Sequence, residues 1–332
     1  WQYSENDADF TDISGATDKS YTTAKKSEGN YYYQCIVTPT NGCLAKTTAS
    51  FEVEVYKDLT PGAISEDQTI CYNTIPATLT QTTASSGADG VYSYQWESKT
   101  EGGDWSDVKG ATSKEYSPST LKETTLYRLR VINACKSDYT NAVTITVRPD
   151  ITSAVISEVS DPICYNTAPE KLTIITDPTG GADDSFTYQW EQSEDGEIFE
   201  EIAGATEETY QSGALIKDRY FRLRTTSVKG CGDRYSNVVK VSVYADLETE
   251  VSGDDKLCYM TEGTIEVSAL GQGEQYTYQW QYSENDADFT DISGATGKSY
   301  TTAKKSEGNY YYQCIVTPTN GCLAKTTASF EV

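Results

Sequence analysis

Tyr92-Ser93-Tyr94-Gln95-Trp96-Glu97 alternates aromatic and polar residues. In an extended strand this puts Tyr92, Tyr94 and Trp96 on one face and Ser93, Gln95 and Glu97 on the other. The pattern returns as Phe186, Tyr188 and Trp190, and again as Tyr276, Tyr278 and Trp280. Counting Trp1, the tryptophans of this motif stand 95, 94 and 90 residues apart, so a unit of roughly that length repeats along the chain. Residues 1–53 recur at 280–332 with one difference, Asp18 against Gly297. The offset of 279 residues makes three units one higher-order period.

Working outward from the tryptophan strand, each unit next shows a turn-rich stretch, where Asp195-Gly196 is a hairpin signal. Gly-Ala-Thr follows, before a strand carrying Tyr116, Tyr210 or Tyr300. A further strand points Tyr127, Leu129 and Val131 inward, matched by Phe221, Leu223 and Thr225 and by Tyr312, Cys314 and Val316. The last strand carries Val143, Ile145 and Val147, or Val239, Val241 and Val243, and Leu79 and Ile265 mark an earlier one. About seven short alternating strands per unit predict an all-β chain of antiparallel sandwiches. Tyrosine, at 26 of 332 residues, agrees with β structure.

The strand tryptophan, the Gly29-Asn30-Tyr31-Tyr32-Tyr33-Gln34-Cys35 string and the unit length resemble an immunoglobulin-like fold. More narrowly, Cys71-Tyr72-Asn73-Thr74, Tyr94-Gln95-Trp96-Glu97, Gly110-Ala111-Thr112, Tyr127-Arg128 and Cys135 are similar to Ig-like repeats of giant Bacteroidota surface proteins, including gliding-motility adhesins of the SprB type. The resemblance implies export by type IX secretion, anchoring at the extracellular surface of a Gram-negative bacterium, and a part in cell adhesion. A shared sandwich hosts many functions, so it says little about a ligand.

Val55-Tyr56-Lys57-Asp58, Val147-Arg148-Pro149-Asp150 and Val243-Tyr244-Ala245-Asp246 align at the ends of units. They predict a partial repeat at 1–55, lacking its first two strands, and complete repeats at 56–148, 149–244 and 245–332. Such short connections predict an elongated, semi-rigid rod cut from a longer array. The partners expected are neighbouring repeats of the same chain, with surface polysaccharide and lateral self-association as candidates.

Nine cysteines sort by this register. Cys71, Cys164 and Cys258 precede the second strand of their units, while Cys135, Cys231 and Cys322 follow each tryptophan at similar distances. One pair per unit is expected: Cys71 with Cys135, Cys164 with Cys231, and Cys258 with Cys322, leaving Cys43 without a partner. Each bridge would close a loop of roughly 65 residues, worth on the order of 4 kcal/mol in an oxidising, extracellular setting. Cys35 and Cys314 take the place of Leu129 and Leu223 and read as buried thiols acting as small hydrophobes, against an alternative joining Cys258 to Cys314.

With 26 basic and 50 acidic residues the net charge is −24, which excludes a nucleic-acid binder or a ligand of acidic membranes. No apolar run approaches the ~20 residues of a membrane span. The chain has no histidine, so histidine triads, imidazole acid–base catalysis and zinc–histidine sites are out of reach, and a pair of carboxylates works only in a cleft that small sandwiches rarely form. No enzyme and no cofactor is expected. The acidic loops at Ser4–Asp9, Ala182–Asp184 and Ser193–Gly196 read as solvated hairpin turns, with calcium as the competing reading. Asp58, Asp150 and Asp246 at the junctions are calcium candidates or turn caps. Trp96, Trp190 and Trp280 are core residues by their alternation, Trp105 aligns with Phe10, Phe199 and Phe289 as a packed aromatic, and Tyr32 and Tyr311 point outward. The function expected is a non-catalytic stalk or filament segment of a surface adhesin; multivalent glycan-binding or protein-binding modules are the alternative.

Overall fold

The structure, a computed structural model, describes all residues from Trp1 to Val332. Every regular element is a strand. The chain divides into two compact units, Trp1–Asp150 and Ile151–Val332.

In the first unit, residues 56–148 form a two-sheet sandwich. One sheet orders Glu115–Tyr116, Leu79–Thr83 and Ala63–Ile64; the other runs Ser106–Asp107, Ser93–Thr100, Thr125–Ile132, Val143–Val147 and Gln68–Ile70. All pairings are antiparallel except Val143–Val147 with Gln68–Ile70, which is parallel. Sandwiches of the immunoglobulin type are built in this way from short strands alternating inward and outward. Thr125–Ile132 alternates buried and half-buried residues along its whole length, and Trp96 and Leu129, opposite each other in register, are both fully buried. Leu59, Ile64, Leu79, Val131, Val143 and Ile145 close the core around them. Residues 1–55 supply a four-stranded sheet ordered Thr11–Asp12, Gln2–Ser4, Gly29–Gln34 and Phe51–Val55, beside a two-stranded ribbon of Ile36–Val37 and Lys46–Thr47.

The second unit holds two sandwiches of the same plan. In the first, Val155–Ile156, Leu172–Thr176 and Thr209–Tyr210 face Glu200–Glu201, Phe186–Ser193, Arg219–Ser227, Asp233–Tyr235 and Val239–Val241. In the next, Glu248–Gly253, Thr264–Leu270 and Ser299–Thr301 face Thr290–Asp291, Tyr276–Ser283, Tyr311–Pro318, Lys325–Thr326 and Phe330–Glu331. Their cores centre on Trp190 with Phe221 and Leu223, and on Trp280 with Tyr312 and Cys314. All three core tryptophans are fully buried, as the alternation predicts.

The recurring strings Tyr-Gln-Trp and Gly-Ala-Thr are two halves of one hydrogen-bonded knot. Gln95 Nε2 donates to the carbonyls of Trp96 and Val108 at 2.9 and 2.8 Å, and the Trp96 N–H donates to Ala111 O at 2.9 Å. Gln189 and Gln279 repeat the clamp on Trp190 with Ile202 and on Trp280 with Ile292. Gly110, Gly204 and Gly294 turn the chain at φ of 76°, 74° and 77°, where a side chain is disfavoured. The buried indole N–H also finds a partner, donating to the carbonyl of Ser113, Glu207 or Gly297 at 2.9 to 3.0 Å. Trp1 donates likewise to Asp18 O at 3.0 Å. The one position at which the duplicated segments differ thus serves the fold through its main-chain oxygen, which every residue type provides.

Candidate functional site

The disulfide pairing expected within each repeat is overturned. Cys164 bonds to Cys322, with 5.5 Å between their Cα atoms. Cys71 and Cys231 are disulfide-bonded as well, while Cys135 and Cys258 are free and exposed, as is Cys43. Strand direction explains why Cys164 cannot meet Cys231. Ile163, beside Cys164, bridges in parallel to Val243, just past Val241, which pairs with Arg219 at the start of the strand Arg219–Ser227. Cys231 lies in the hairpin loop beyond the other end of that nine-residue strand. At ~3.4 Å per residue the two are some 30 Å apart, against the ~7 Å limit between bridged Cα atoms. The parallel pairing of Ile70 with Val147 separates Cys71 from Cys135 in the same way, and Cys258 lines a cavity with Tyr310 and Tyr312 at the start of the strand Tyr311–Pro318, whereas Cys322 follows its other end.

The bridge that does form joins two different local structures. Cys164 sits in a turn in which the Thr167 hydroxyl donates to Cys164 O at 2.7 Å. Cys322 sits in a hairpin loop after the strand Tyr311–Pro318, its N–H donating to Asn320 Oδ1 at 3.2 Å. That loop is tied to the start of its own repeat. Asn320 Nδ2 donates to Gln272 O at 2.9 Å, and Lys325 Nζ donates to Leu247 O at 2.5 Å while lying 3.5 Å from the Asp246 carboxylate.

Asp246 therefore meets a lysine, and Asp58 does the same through Lys136 at 2.8 Å. The Lys136 hydrogen bond and charge hold the Asp58 carboxyl below its usual range, and Asp58 raises Lys136 in return. Asp150 is exposed at the end of the first unit. In the acidic loop at 182–184 the Gly180 N–H donates to Asp184 Oδ1 at 2.5 Å, whereas the other acidic hairpins are Asx turns. Asp195 accepts the N–H groups of Glu197 and Ile198 at 2.8 and 3.0 Å and the Ser193 hydroxyl at 2.8 Å, which together lower its carboxyl to about 2. Asn6 and Asn285 play this part in the duplicated segments. No group of three or more Cys, Asp or Glu is placed to hold a metal ion.

One feature escaped the sequence reading. On the outer sheet face of the repeat at 56–148, the carboxylate of Glu97 is buried and takes Arg128 at 2.7 Å and Arg130 at 3.2 Å. The Arg128 guanidinium lies between the rings of Trp105 and Tyr139, 4.3 and 3.7 Å from their centroids. Glu191, Arg222, Phe199 and Tyr235 rebuild the arrangement in the next repeat. Trp105 and Phe199 are thus packed, as aligned, but against a cation rather than in the core. The signal was the outward arginine alternation of Arg128 and Arg130 facing Glu97. Tyr32 is half-buried and donates to Glu52 at 3.1 Å, and Tyr311 is half-buried opposite Glu331.

A cavity of about 630 Å³ opens beside Cys258, lined by Leu257, Thr302, Lys305, Gly308, Tyr310 and Val332. In the preceding repeat the corresponding space is taken by the backbone of Ser242–Tyr244, which hydrogen-bonds on both sides of Ile163 at 2.9 and 3.0 Å. No helix is long and apolar enough to cross a membrane.

No curated protein matches the chain. Among solved structures it is similar to Sidekick-1 immunoglobulin domains 1–5, at 14% identity over 79% of this chain and 56% of that one, with a TM-score of 0.28. It is also similar to domains A168–A170 from titin, at 11% identity over 81% and 96% with a TM-score of 0.31, and to chicken CNTN1 FN1–FN3 domains, at 16% over 82% and 98% with a TM-score of 0.25. The chain thus spans little more than half the length of the Sidekick-1 structure. A family described as a domain of unknown function (DUF8696) matches residues 1–57, 60–149, 153–245 and 248–332, and the chain, a tandem array of Ig-like repeats, belongs to that family.

Proposed function

We propose that the chain is a structural spacer, a stalk or filament segment of a secreted, surface-anchored bacterial adhesin, with no catalytic role. The observation that carries this reading is the Cys164–Cys322 bridge. It runs from the turn of one repeat to the hairpin loop of the next, so it fixes two sandwiches as neighbours and closes neither core. An enzyme or an isolated binding module has no need of such a bond; an array that must keep its repeats in line does. Disulfides persist in oxidising compartments, which favours an extracellular setting. The Gram-negative surface and the SprB-type context come from the resemblance of the repeated strings. Adjoining repeats are the partners in this reading, and a charge of −24 repels neighbouring copies at low salt.

Small-angle scattering of the oxidised chain tests the proposal. An extended particle whose flexibility increases on reduction is expected. A compact particle, or one unaffected by reductant although the Cys164–Cys322 bond has been broken, would overturn the reading.

A further inference from the structure

Two joints between repeats are gripped by the same loop, the one that leads into the tryptophan strand. In it Ala88 and Gln272 hold left-handed φ of 53° and 47°, uncommon for residues with a side chain. Each aims its N–H at the chain entering the repeat: Ala88 donates to Lys57 O at 2.7 Å, and Gln272 donates to Ala245 O at 2.8 Å. The glycine before each lies against the joint itself. A Cβ on Gly87 would stand 2.0 Å from Asp58 O, and one on Gly271 would stand 1.9 Å from Asp246 O, at φ of 90° and 99°. Both neighbours are main-chain oxygens, which cannot rotate away. A tyrosine then fastens the loop to the tryptophan strand. Tyr92 Oη donates to Gly87 O at 2.6 Å, and Tyr276 Oη donates to Gly271 O and Gly273 O at 2.6 and 2.8 Å. The lysine contacts of Asp58 and Asp246 add a charged hold on the same stretch.

Little chain is left free at either joint. Val55 still pairs with Gly29 in the sheet of residues 1–55, and Lys57 is already held by the next repeat, so only Tyr56 lies between. At the other joint the Tyr244 N–H donates to Ile163 O at 3.0 Å, and Ala245 is the residue gripped. No residue lies between.

We propose that this loop is a joint clamp that removes torsional freedom between adjacent repeats. Gly87 and Gly271 let its backbone close on the entering chain, and Tyr92 and Tyr276 hold it closed. The proposal rests on the spacer reading and names its stiffening element. The repeat at 149–244 has Phe186 at the tyrosine position, so the sandwich itself folds without that hydroxyl. Tyr92→Phe is therefore a change that addresses the clamp and not the core.

Trypsin reads the joint directly, because the exposed Lys57 precedes the bond to Asp58. Cleavage under native conditions tracks the population of locally opened chain. In the oxidised 332-residue chain this bond should resist trypsin. Tyr92→Phe should speed cleavage there about five-fold, as one lost hydrogen bond predicts, and Gly87→Ala should speed it further. Cleavage after Lys109, an exposed turn residue of the same repeat, should keep its wild-type rate, which a general loss of stability would not leave unchanged. Hydrogen exchange at the Ala88 amide should rise with Tyr92→Phe, and at the Gln272 amide with Tyr276→Phe. Rapid cleavage at Lys57 in the unaltered chain, no acceleration by Tyr92→Phe, or equal acceleration at Lys57 and Lys109 would overturn the clamp. Should Gly87→Ala fail to fold, Tyr92→Phe decides. Scattering of the unaltered chain keeps the two readings apart. A compact particle whose Lys57 cleavage still answers to Tyr92→Phe rejects the spacer and keeps the clamp; an extended one that does not answer rejects the clamp alone.

Discussion

Glu97 and Arg128 face each other across neighbouring strands, and so do Gln281 and Gln313 at the same position of the last repeat. The first pair is a buried salt bridge at 2.7 Å; the second is an amide hydrogen bond at 2.7 Å. Gln2 and Gln34 match the second at 2.8 Å. The chain thus contains its own comparison between a charged and a neutral solution at one site. Arg128→Ala should strand the Glu97 carboxylate and destabilise its repeat by about 2 to 4 kcal/mol. Replacing both residues with Gln should recover most of that loss. Urea unfolding of the single and double variants checks it, and a double variant no more stable than Arg128→Ala would refute the equivalence.

Asp18 and Gly297 both serve a tryptophan indole through the main-chain carbonyl. Gly297→Asp should therefore change stability by no more than about 0.5 kcal/mol. Trp280→Ala, which empties the core and abandons that bond, should cost about 3 to 5 kcal/mol. Thermal unfolding of the two variants compares them directly.

Burial pushes the Cys314 thiol up to about 11. The thiol should resist alkylation at neutral pH in the native state while Cys258 reacts, as quantified by mass spectrometry. Because the folded value lies above the ordinary one near 9, the stabilisation is complete below pH 9 and is lost as pH rises toward 11. Cys314→Leu should remove this alkaline loss, since Leu129 and Leu223 occupy the same position in sister repeats.

Asp195 has the opposite sign. Its carboxyl is lowered to about 2 by the hydrogen bonds of its turn, so it stabilises the fold above the ordinary carboxylate value and loses that contribution as pH falls from about 4 to 2. Carboxyl NMR titration should place Asp195 well below the ordinary carboxylate range, and Asp195→Ala should flatten the acid limb of the stability profile.

The repeat, its strands and its core were legible because they rest on local alternation. Trp96, Leu129 and Val131 declare their faces within a few residues of sequence. The disulfides were not legible from spacing. Cys164 and Cys231 recur at regular intervals, but which end of the sandwich each occupies depends on strand direction and on the parallel placement of Ile163 beside Val243. Following each strand to its end would have separated them. The Glu97–Arg128 pair was hidden for a different reason. Outward polar residues in a strand read as solvent-facing, and only the position of the Trp105 and Tyr139 rings shows that this part of the outer face is covered.

The bond between Cys164 and Cys322 also changes how the chain would answer to being stretched. Tension entering on one side of the pair crosses through sulfur to the other, and the 158 residues of sequence between them are bypassed. At ~3.3 to 3.6 Å per extended residue, roughly 520 to 570 Å of slack stays locked while the bond holds. A sandwich inside that loop can lose its fold without lengthening the molecule, and reduction alone turns the stored length into reach.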